Sequence, residues 1–199
     1  EKDNQELIQF LKKASDKRGH ADGDAVNRLG NIYWNENDYS KANEWYRKAG
    51  EAGFDWGWNN LAGSYRDGDG VEKDIQKAIQ LFEKAYEMSG EAAGDSANQI
   101  GVIYWKENDY SKANEWLQKA GEGGCDWGWY NLARSYRNGD GVEKDIQKAI
   151  QLFEKAYGMS GEAAKNSAAW LMNIYNNELY DSGKAQEWKN KWIEQGGNA

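Results

Sequence analysis

Four tryptophans and a set of asparagines are the residues of this chain whose types and spacing could bind a ligand. Trp34 and Trp105 are 71 positions apart, and so are Trp56 and Trp127. An indole ring is a rigid apolar platform, and an Asn amide offers both hydrogen-bond donors and an acceptor. The combination suits an extended peptide, whose backbone amides can pair with Asn, and it also suits a sugar ring.

Basic side chains in the same pattern could bind an acidic group. Lys106, Arg134 and Arg137 all lie in the second half of the chain. Because ammonium and guanidinium groups pair with carboxylates, we expect these residues to attract an acidic side chain or a C-terminal carboxylate. The predicted ligand-binding residues are Asn27, Asn31, Trp34, Trp56, Asn59, Arg66, Asn98, Trp105, Lys106, Trp127, Tyr130, Arg134, Arg137 and Asn173.

Catalytic and metal-binding residue types are scarce. The chain has one His and one Cys, which excludes an internal disulfide, a thiolate metal site and most kinds of hydrolytic active site. His20 is expected in a loop, and Cys125 is expected to pack because its duplicate is an apolar residue. The acidic residues Asp67 and Asp69 do not follow the order of a calcium-binding loop. We therefore predict a protein that is not an enzyme and that holds no cofactor and no metal.

The charge balance argues against nucleic acid as a partner. The chain has 25 basic and 33 acidic side chains, a net charge of −8, whereas binding to phosphates needs concentrated positive charge. No apolar run approaches the roughly 18 residues of a membrane-spanning helix, so no membrane insertion is expected. The first residue is Glu1 and not Met, so we expect that an N-terminal segment has been trimmed.

Aromatic residues are expected to form a large part of the core. Leu, Ile, Val and Phe together number only 28, whereas the chain has 27 aromatic residues. We expect the large aromatic side chains to supply the apolar surface that the few aliphatic residues do not.

A repeat of 71 residues organises the sequence. Residues 32–93 align with residues 103–164 without a gap, and nine of the 62 pairs differ. Each unit divides again, because five segments carry an apolar anchor followed four residues later by Tyr, and five carry Asp-x-x-Lys-Ala. The predicted organisation is one repeat domain, 1–199, with an N-terminal capping helix in 1–21 and repeats near 22–53, 54–92, 93–124, 125–163 and 164–199.

The Asp-x-x-Lys-Ala motif predicts the start of a helix. Asp74 precedes a helical apolar pattern, and its carboxylate can accept hydrogen bonds from the first turn and complement the helix dipole. Gly-containing segments such as 50–53 and 68–70 are expected to end helices. With a further helix near 4–18, the sequence predicts about eleven helices and no strand. The predicted fold is all-α, a right-handed α/α solenoid of about five antiparallel helix pairs plus the N-terminal helix.

The loop between two of these helices carries a family resemblance. The run Gly68-Asp-Gly-Val-Glu-Lys-Asp-Ile-Gln-Lys-Ala78, repeated at 139–149, resembles the glycine-valine loop and helix start of Sel1-like repeats, a branch of the tetratricopeptide-like superfamily. The Leu, small residue and Tyr of the first helix and the Ala, aromatic and Ala of the second are similar to that superfamily's packing set. The match recurs five times over roughly residues 22–195. It implies that the first helices line a concave groove where partners bind.

Helical geometry separates two arcs on the first helix of each pair. With the anchor as origin, offsets −3, 0, +1 and +4 form a packing arc that includes Val26, Trp58 and Trp129, which we expect in the core. The opposite arc holds the predicted binding residues. Four of the nine differences between the copies lie in this second arc, namely Asn35/Lys106, Asn59/Tyr130, Gly63/Arg134 and Asp67/Asn138.

These four exchanges make the later copy more positive by about three charges, so the third and fourth repeats are the predicted site for an acidic group. The leading prediction is therefore a non-enzymatic scaffold or adaptor that binds a protein or extended peptide in the concave groove. The alternative is recognition of carbohydrate or cell-wall glycan on the same Asn- and Trp-rich face.

Overall fold

The computed structural model describes residues 22–197, and this part of the chain consists of α-helices joined by short loops. No β-strand occurs among the described residues. The predicted N-terminal helix, the capping segment 1–21 and His20 lie outside them. The helices are α1 (Gly23–Asn35), α2 (Tyr39–Glu51), α3 (Asp55–Asp67), α4 (Ile75–Glu87), α5 (Ala93–Lys106), α6 (Tyr110–Glu122), α7 (Asp126–Asn138), α8 (Ile146–Gly158), α9 (Ala164–Asn177) and α10 (Ser182–Glu194).

The helices belong to two compact units, Glu1–Ser96 and Ala97–Ala199, and the boundary between the units falls inside α5. In the first unit, α1 packs on α2, α2 on α3 and α3 on α4. In the second unit, α6 packs on α7, α7 on α8, α8 on α9 and α9 on α10. Each helix thus packs mainly on its neighbours in sequence, as expected for a repeat protein. The assignment of residues 1–199 to one domain stays a prediction.

The Asp-x-x-Lys-Ala motif begins a helix in each of its five copies. At the start of α4, the Asp74 carboxylate accepts a hydrogen bond from the backbone N–H of Lys77 at 2.9 Å. The bond satisfies an N–H group of the first turn, and the carboxylate charge complements the helix dipole. The predicted N-caps are confirmed, and they are Asp38, Asp74, Asp109, Asp145 and Asp181.

Glycines end the first helix of the second and fourth pairs. Gly68 and Gly139 cap α3 and α7 with φ values of 89° and 86°, in the left-handed region. A side chain with a Cβ is strained there, so this position favours Gly. The long loop that follows is therefore built in the same way in both units.

The core of each unit is formed by the predicted packing arc. In α1 and α3, Val26, Leu29, Trp58 and Leu61 are buried, as is Phe82 of α4. In the second unit one cluster joins α6 to α10, and it contains Leu117, Trp129, Leu132, Phe153, Leu171, Ile174 and Trp188. Cys125 is also buried, as expected.

A carboxylate, buried in the first unit and half-buried in the second, links successive helix pairs within each unit. Asp55, at the start of α3, accepts hydrogen bonds from the backbone N–H groups of Trp56 at 2.9 Å and Ala92 at 2.6 Å. Asp126 makes the same bonds, to Trp127 at 2.9 Å and to Ala163 at 2.7 Å. Each carboxylate therefore fixes both its own helix start and the beginning of the first helix in the next pair.

Candidate functional site

The predicted binding asparagines of the first unit pair with other polar side chains. Asn27 is only 7% exposed, and its Oδ1 accepts a hydrogen bond from Asn60 Nδ2 at 3.0 Å. Asn59 Nδ2 donates to Ser96 Oγ at 2.7 Å. In the second unit, Asn131 Nδ2 likewise donates to Asn98 Oδ1 at 3.1 Å. These asparagines link the first helices of neighbouring pairs.

Tyr46 fills the space beneath the binding arc of α1 in the first unit. Its ring is 3% exposed, and its hydroxyl donates to Asn31 Oδ1 at 2.9 Å. Burial raises the pKa of Tyr46 to about 12, because the phenolate would lose its hydration. Trp34 packs beside it, 4.8 Å from the ring centre of Tyr39 and 6.3 Å from that of Tyr46. Trp34 is therefore half-buried in an aromatic cluster.

Arg66, at the end of α3, is paired with its neighbour. Its Nε donates to Asp67 Oδ1 at 2.9 Å, and its Nη2 lies 2.5 Å from Asp67 Oδ2. The hydrogen bond to Asp67 raises the pKa of the Arg66 guanidinium. Trp56, on the first turn of α3, is half-buried. The predicted residues of the first unit thus make contacts that the fold itself uses.

The second unit contains an open pocket between its first helices, which we call the α5–α7 pocket. Its volume is about 220 Å³. Trp105, on the last turn of α5, forms one wall and is 37% exposed. The lining residues are Val102, Trp105 and Lys106 from α5, Leu117 from α6, Asn131 and Arg134 from α7, and Asp140 from the loop that follows.

Two cations border this pocket. The Arg134 guanidinium lies 5.7 Å from the ring centre of Trp105 and 6.0 Å from that of Tyr130. Lys106 is exposed. Within the described residues, neither cation has a carboxylate within ion-pair distance. Asp140 shares the pocket, where its Oδ2 accepts from Asn138 Nδ2 at 3.2 Å.

Arg137 is not brought to the α5–α7 pocket. Its Nε and Nη2 each lie 2.8 Å from Glu178 Oε1, and its guanidinium stacks 4.4 Å from the ring centre of Trp170. The Arg137 and Glu178 side chains are only 23% and 22% exposed. Their charges thus neutralise each other within the unit, so the predicted group of three cations is reduced to Lys106 and Arg134.

Trp127 and Tyr130 belong to an aromatic cluster of the second unit. Trp127 meets Tyr130 edge-on with ring centres 5.1 Å apart, and Tyr130 meets Phe153 at 5.6 Å. The Tyr130 hydroxyl accepts a hydrogen bond from Trp170 Nε1 at 2.9 Å. Tyr130 therefore packs and also stands beside Arg134 at the pocket.

Asn173 lies in another depression, which is formed by α9 and α10. Its volume is about 440 Å³, and Trp192 is part of its lining. Four residues line the α5–α7 pocket without belonging to the predicted set, namely Val102, Leu117, Asn131 and Asp140. The exchange of Tyr46 for Leu117 between the copies is the sequence feature that could have revealed them.

Two other properties of the described residues bear on the site. Between residues 22 and 197, no helix is long and apolar enough to cross a membrane. The same part of the chain has no group of three or more His, Cys, Asp or Glu side chains placed to hold a metal ion.

The helix pairs and their capped starts define an α-helical repeat protein, and comparisons with known proteins give its family. A family model described as "Sel1 repeat" matches residues 59–89 and 130–159, and one described as "Tetratricopeptide repeat" matches 23–51 and 94–120. The two models alternate, as do the pairs with and without the long glycine loop. The chain is a Sel1-like repeat protein of the tetratricopeptide-like superfamily.

Solved structures give the same fold. A Sel1 repeat protein from Oxalobacter formigenes is 25% identical, with a TM-score of 0.77 over 96% of this chain and 80% of that one. The protective antigen c5321 of uropathogenic Escherichia coli, which has the SLR fold, is 27% identical, with a TM-score of 0.76 over 96% of this chain and 41% of that one. The predicted all-α solenoid class is therefore confirmed.

The curated relatives are longer than this chain. The chitin synthase regulator SKT5 of Saccharomyces cerevisiae is 27% identical over 78% of this chain and 22% of its own length. The DAP3-binding cell death enhancer 1 of Rattus norvegicus is 21% identical over 75% of this chain and 37% of its own length. The chain thus spans less than two-fifths of either relative.

Proposed function

We propose that the chain is a non-enzymatic scaffold or adaptor that binds a protein partner, and that the α5–α7 pocket receives an acidic part of this partner. The proposal concerns the second unit, where the pocket is open. Affinity comes from burial of apolar surface against Trp105 and from pairing of a carboxylate with Lys106 and Arg134.

The repeat family supports a protein partner. Sel1-like and tetratricopeptide repeats are scaffold repeats, and the matches to both are distributed along the chain. Relatives are named as a chitin synthase regulator, a DAP3-binding cell death enhancer and a cytochrome c oxidase assembly factor. These names describe regulation, binding and assembly by those proteins, and for this chain they favour a scaffold.

The pocket cations carry the proposal. In the second unit Arg137 pairs with Glu178, whereas Lys106 and Arg134 have no ion-pair partner among the described residues. Two cations beside an exposed tryptophan, on a chain with a net charge of −8, form a local site for a negative group. A partner carboxylate gains charge-assisted hydrogen bonds there without breaking an existing ion pair.

The aromatic side chains do not favour the glycan alternative. Stacking on a sugar requires exposed ring faces, whereas Trp34 and Trp127 are half-buried against tyrosines. Of the four tryptophans predicted as platforms, Trp105 is the exposed one. One exposed indole flanked by two cations fits an acidic peptide better than a neutral sugar chain.

Titration of tryptophan fluorescence with a peptide library and a glycan library tests this function. We expect saturable binding of acidic peptides by the wild type. The double charge reversal Lys106→Glu with Arg134→Glu should weaken it about tenfold or more, since attraction becomes repulsion. Lys77→Glu, an exposed reversal in the first unit, is the matched control. Saturable binding of glycans alone, or binding unaffected by the double reversal, would contradict the proposal.

A further inference from the structure

We infer that the α5–α7 pocket recognises a specific motif in an extended segment of a partner protein: a large apolar side chain with Asp or Glu two residues before or after it. The inference rests on the proposed protein-binding function and adds the chemistry of the bound segment. It follows from the pocket's size and walls, from its cations, and from the matching position in the first unit.

The size and walls of the pocket suit one apolar side chain. Val102 and Leu117 are aliphatic, and Trp105 adds the surface of an indole. The volume of about 220 Å³ exceeds the roughly 150 Å³ of a protein cavity that binds benzene. An α-helix, about 10 Å across, is too wide for such a pocket, so an extended segment that inserts one side chain is the fitting form.

The positions of the cations specify a nearby carboxylate. Arg134 is held between the rings of Trp105 and Tyr130, so little side-chain entropy is lost when it pairs with an anion. Lys106 follows Trp105 at the end of α5. In an extended segment, residues i and i+2 point to the same side, so an acid two positions from the buried side chain faces the same surface. The motif therefore combines the apolar residue and the acid at this spacing.

The first unit shows what keeps the pocket open. At the position of Leu117 it has Tyr46, whose ring is buried and whose hydroxyl bonds to Asn31, the counterpart of Val102. Gly30 leaves room for the Tyr46 ring. The counterpart of Gly30 in the second unit is Gly101, which faces the smaller Leu117.

The cations of the pocket are also specific to the second unit. The counterparts of Lys106 and Arg134 are Asn35 and Gly63. In the first unit an aromatic ring therefore fills this space and the cations are absent. In the second unit the space is an open apolar pocket bordered by both cations. This coincidence of space and charge points to a ligand that has both an apolar and an acidic group.

A random heptapeptide display library, with selected sequences resynthesised as N-acetylated and C-amidated peptides, tests the motif. We expect selected peptides to carry a large apolar residue with Asp or Glu two positions before or after it. Replacing the apolar residue by Ala should weaken binding about tenfold or more, and replacing the acid by its amide about threefold to tenfold.

A protein variant that closes the pocket provides the second arm. Leu117→Tyr with Val102→Asn introduces the Tyr46 and Asn31 pair of the first unit, and circular dichroism and thermal unfolding verify that the variant is folded. We expect it to lose binding about tenfold or more. Tyr46→Leu in the first unit is the matched control and should bind the peptides as the wild type does.

Several outcomes would overturn the motif. Peptides that bind the closed variant as well as the wild type would show that binding lies elsewhere, which defeats this inference but leaves the proposed scaffold function. A requirement for a free C-terminal carboxylate, or self-association of the chain through the same pocket, would also defeat it. If no peptide and no protein partner binds the wild type, both the motif and the proposed function fail.

Discussion

The two units of this protein contain nearly the same 62 residues, yet one buries an aromatic ring where the other has a pocket. In the first unit Tyr46 fills the space and Trp34 packs against it. In the second unit the smaller Leu117 leaves the α5–α7 pocket open, and the Arg134 guanidinium lies 5.7 Å from the ring centre of Trp105. A few exchanges on the same repeat backbone thus change a packed surface into an open pocket.

The contacts that maintain the backbone do not differ between the units. Asp55 and Asp126 make the same pair of hydrogen bonds, and Gly57 and Gly128 allow the same close approach of helices. The differences are concentrated on the binding arc and beneath it. The residues that form the repeat are therefore distinct from those that open or fill the pocket.

The largest expected effect concerns the close approach of helices, which should be equal in the two units. A Cβ at Gly57 would meet the backbone of Gly50, and one at Gly128 would meet the backbone of Gly121. We expect Gly57→Ala and Gly128→Ala each to lower the free energy of unfolding by about 3 kcal/mol, because backbone atoms must move apart. Urea unfolding followed by circular dichroism measures this.

Gly63→Ala is the matched control for these two variants, because a Cβ there meets no atom within 4 Å. The higher helix propensity of Ala should raise stability by about 1 kcal/mol or less. A destabilisation by Gly63→Ala similar to that by Gly57→Ala would remove the packing explanation.

The carboxylates of Asp55 and Asp126 should also have equal effects on stability. We expect Asp55→Ala and Asp126→Ala each to lower the free energy of unfolding by about 2 kcal/mol, because each leaves two backbone N–H groups without their partner. Thermal unfolding measures the loss, with the exposed Glu143→Ala as control. A loss in one unit alone would mean that the two units do not share this tie between helix pairs.

Alkaline pH should distinguish the units, because only the first buries a tyrosine at this position. A folded-state pKa of about 12 for Tyr46, above the ordinary value near 10, means that its contribution to stability is complete below about pH 10 and is lost as the pH rises towards 12. We expect the stability difference between wild type and Tyr46→Phe to shrink by about 1 to 2 kcal/mol across that range.

Urea unfolding of both proteins at pH 9 and pH 11.5 provides this comparison. The shared titration of other groups cancels in the difference, and Leu117→Phe serves as the control in the second unit. A stability difference that stays constant with pH would show that Tyr46 titrates as an exposed tyrosine does.

The smallest expected effect on stability is the difference between substitutions of two buried serines, Ser96 and Ser167. Ser96 Oγ accepts a hydrogen bond from Asn59, whereas Ser167 Oγ has no hydrogen-bond partner among residues 22–197, since Tyr130 replaces Asn59 in the second copy. Ser96→Ala should lower the free energy of unfolding by about 1 kcal/mol, and Ser167→Ala should leave it unchanged or raise it slightly. Equal losses in chemical unfolding would mean that Ser167 bonds to a group such as water.

Much of the fold can be predicted from the sequence because its determinants are local. The Asp caps lie at the start of each second helix, and the packing arc follows from helical periodicity, so both can be located without knowing any long-range contact. Part of the site is also predictable, because Trp105, Lys106 and Arg134 lie on one arc of α5 and α7 and two of them differ between the copies.

The rest of the site depends on contacts between distant positions. Leu117 lies on α6, the second helix of its pair, at a position that the repeat pattern assigns to packing. That it leaves a pocket becomes evident only by comparison with Tyr46, the larger residue at the same position of the first unit. Glu178, which pairs with Arg137, is 41 residues further along the chain. The asparagines on the arc likewise bond to positions more than 30 residues away. Helical periodicity contains no information on such pairs.

The most direct test of the central claim is to exchange the binding property between the units. Calorimetric titration with a selected peptide of the proposed motif should give one site in the wild type. A first unit altered at four positions, with Tyr46→Leu, Asn31→Val, Asn35→Lys and Gly63→Arg, should bind a second peptide and double the stoichiometry. The closed variant of the second unit, Leu117→Tyr with Val102→Asn, should bind none. Unchanged stoichiometry in both variants would contradict the claim that these exchanges determine where the protein binds.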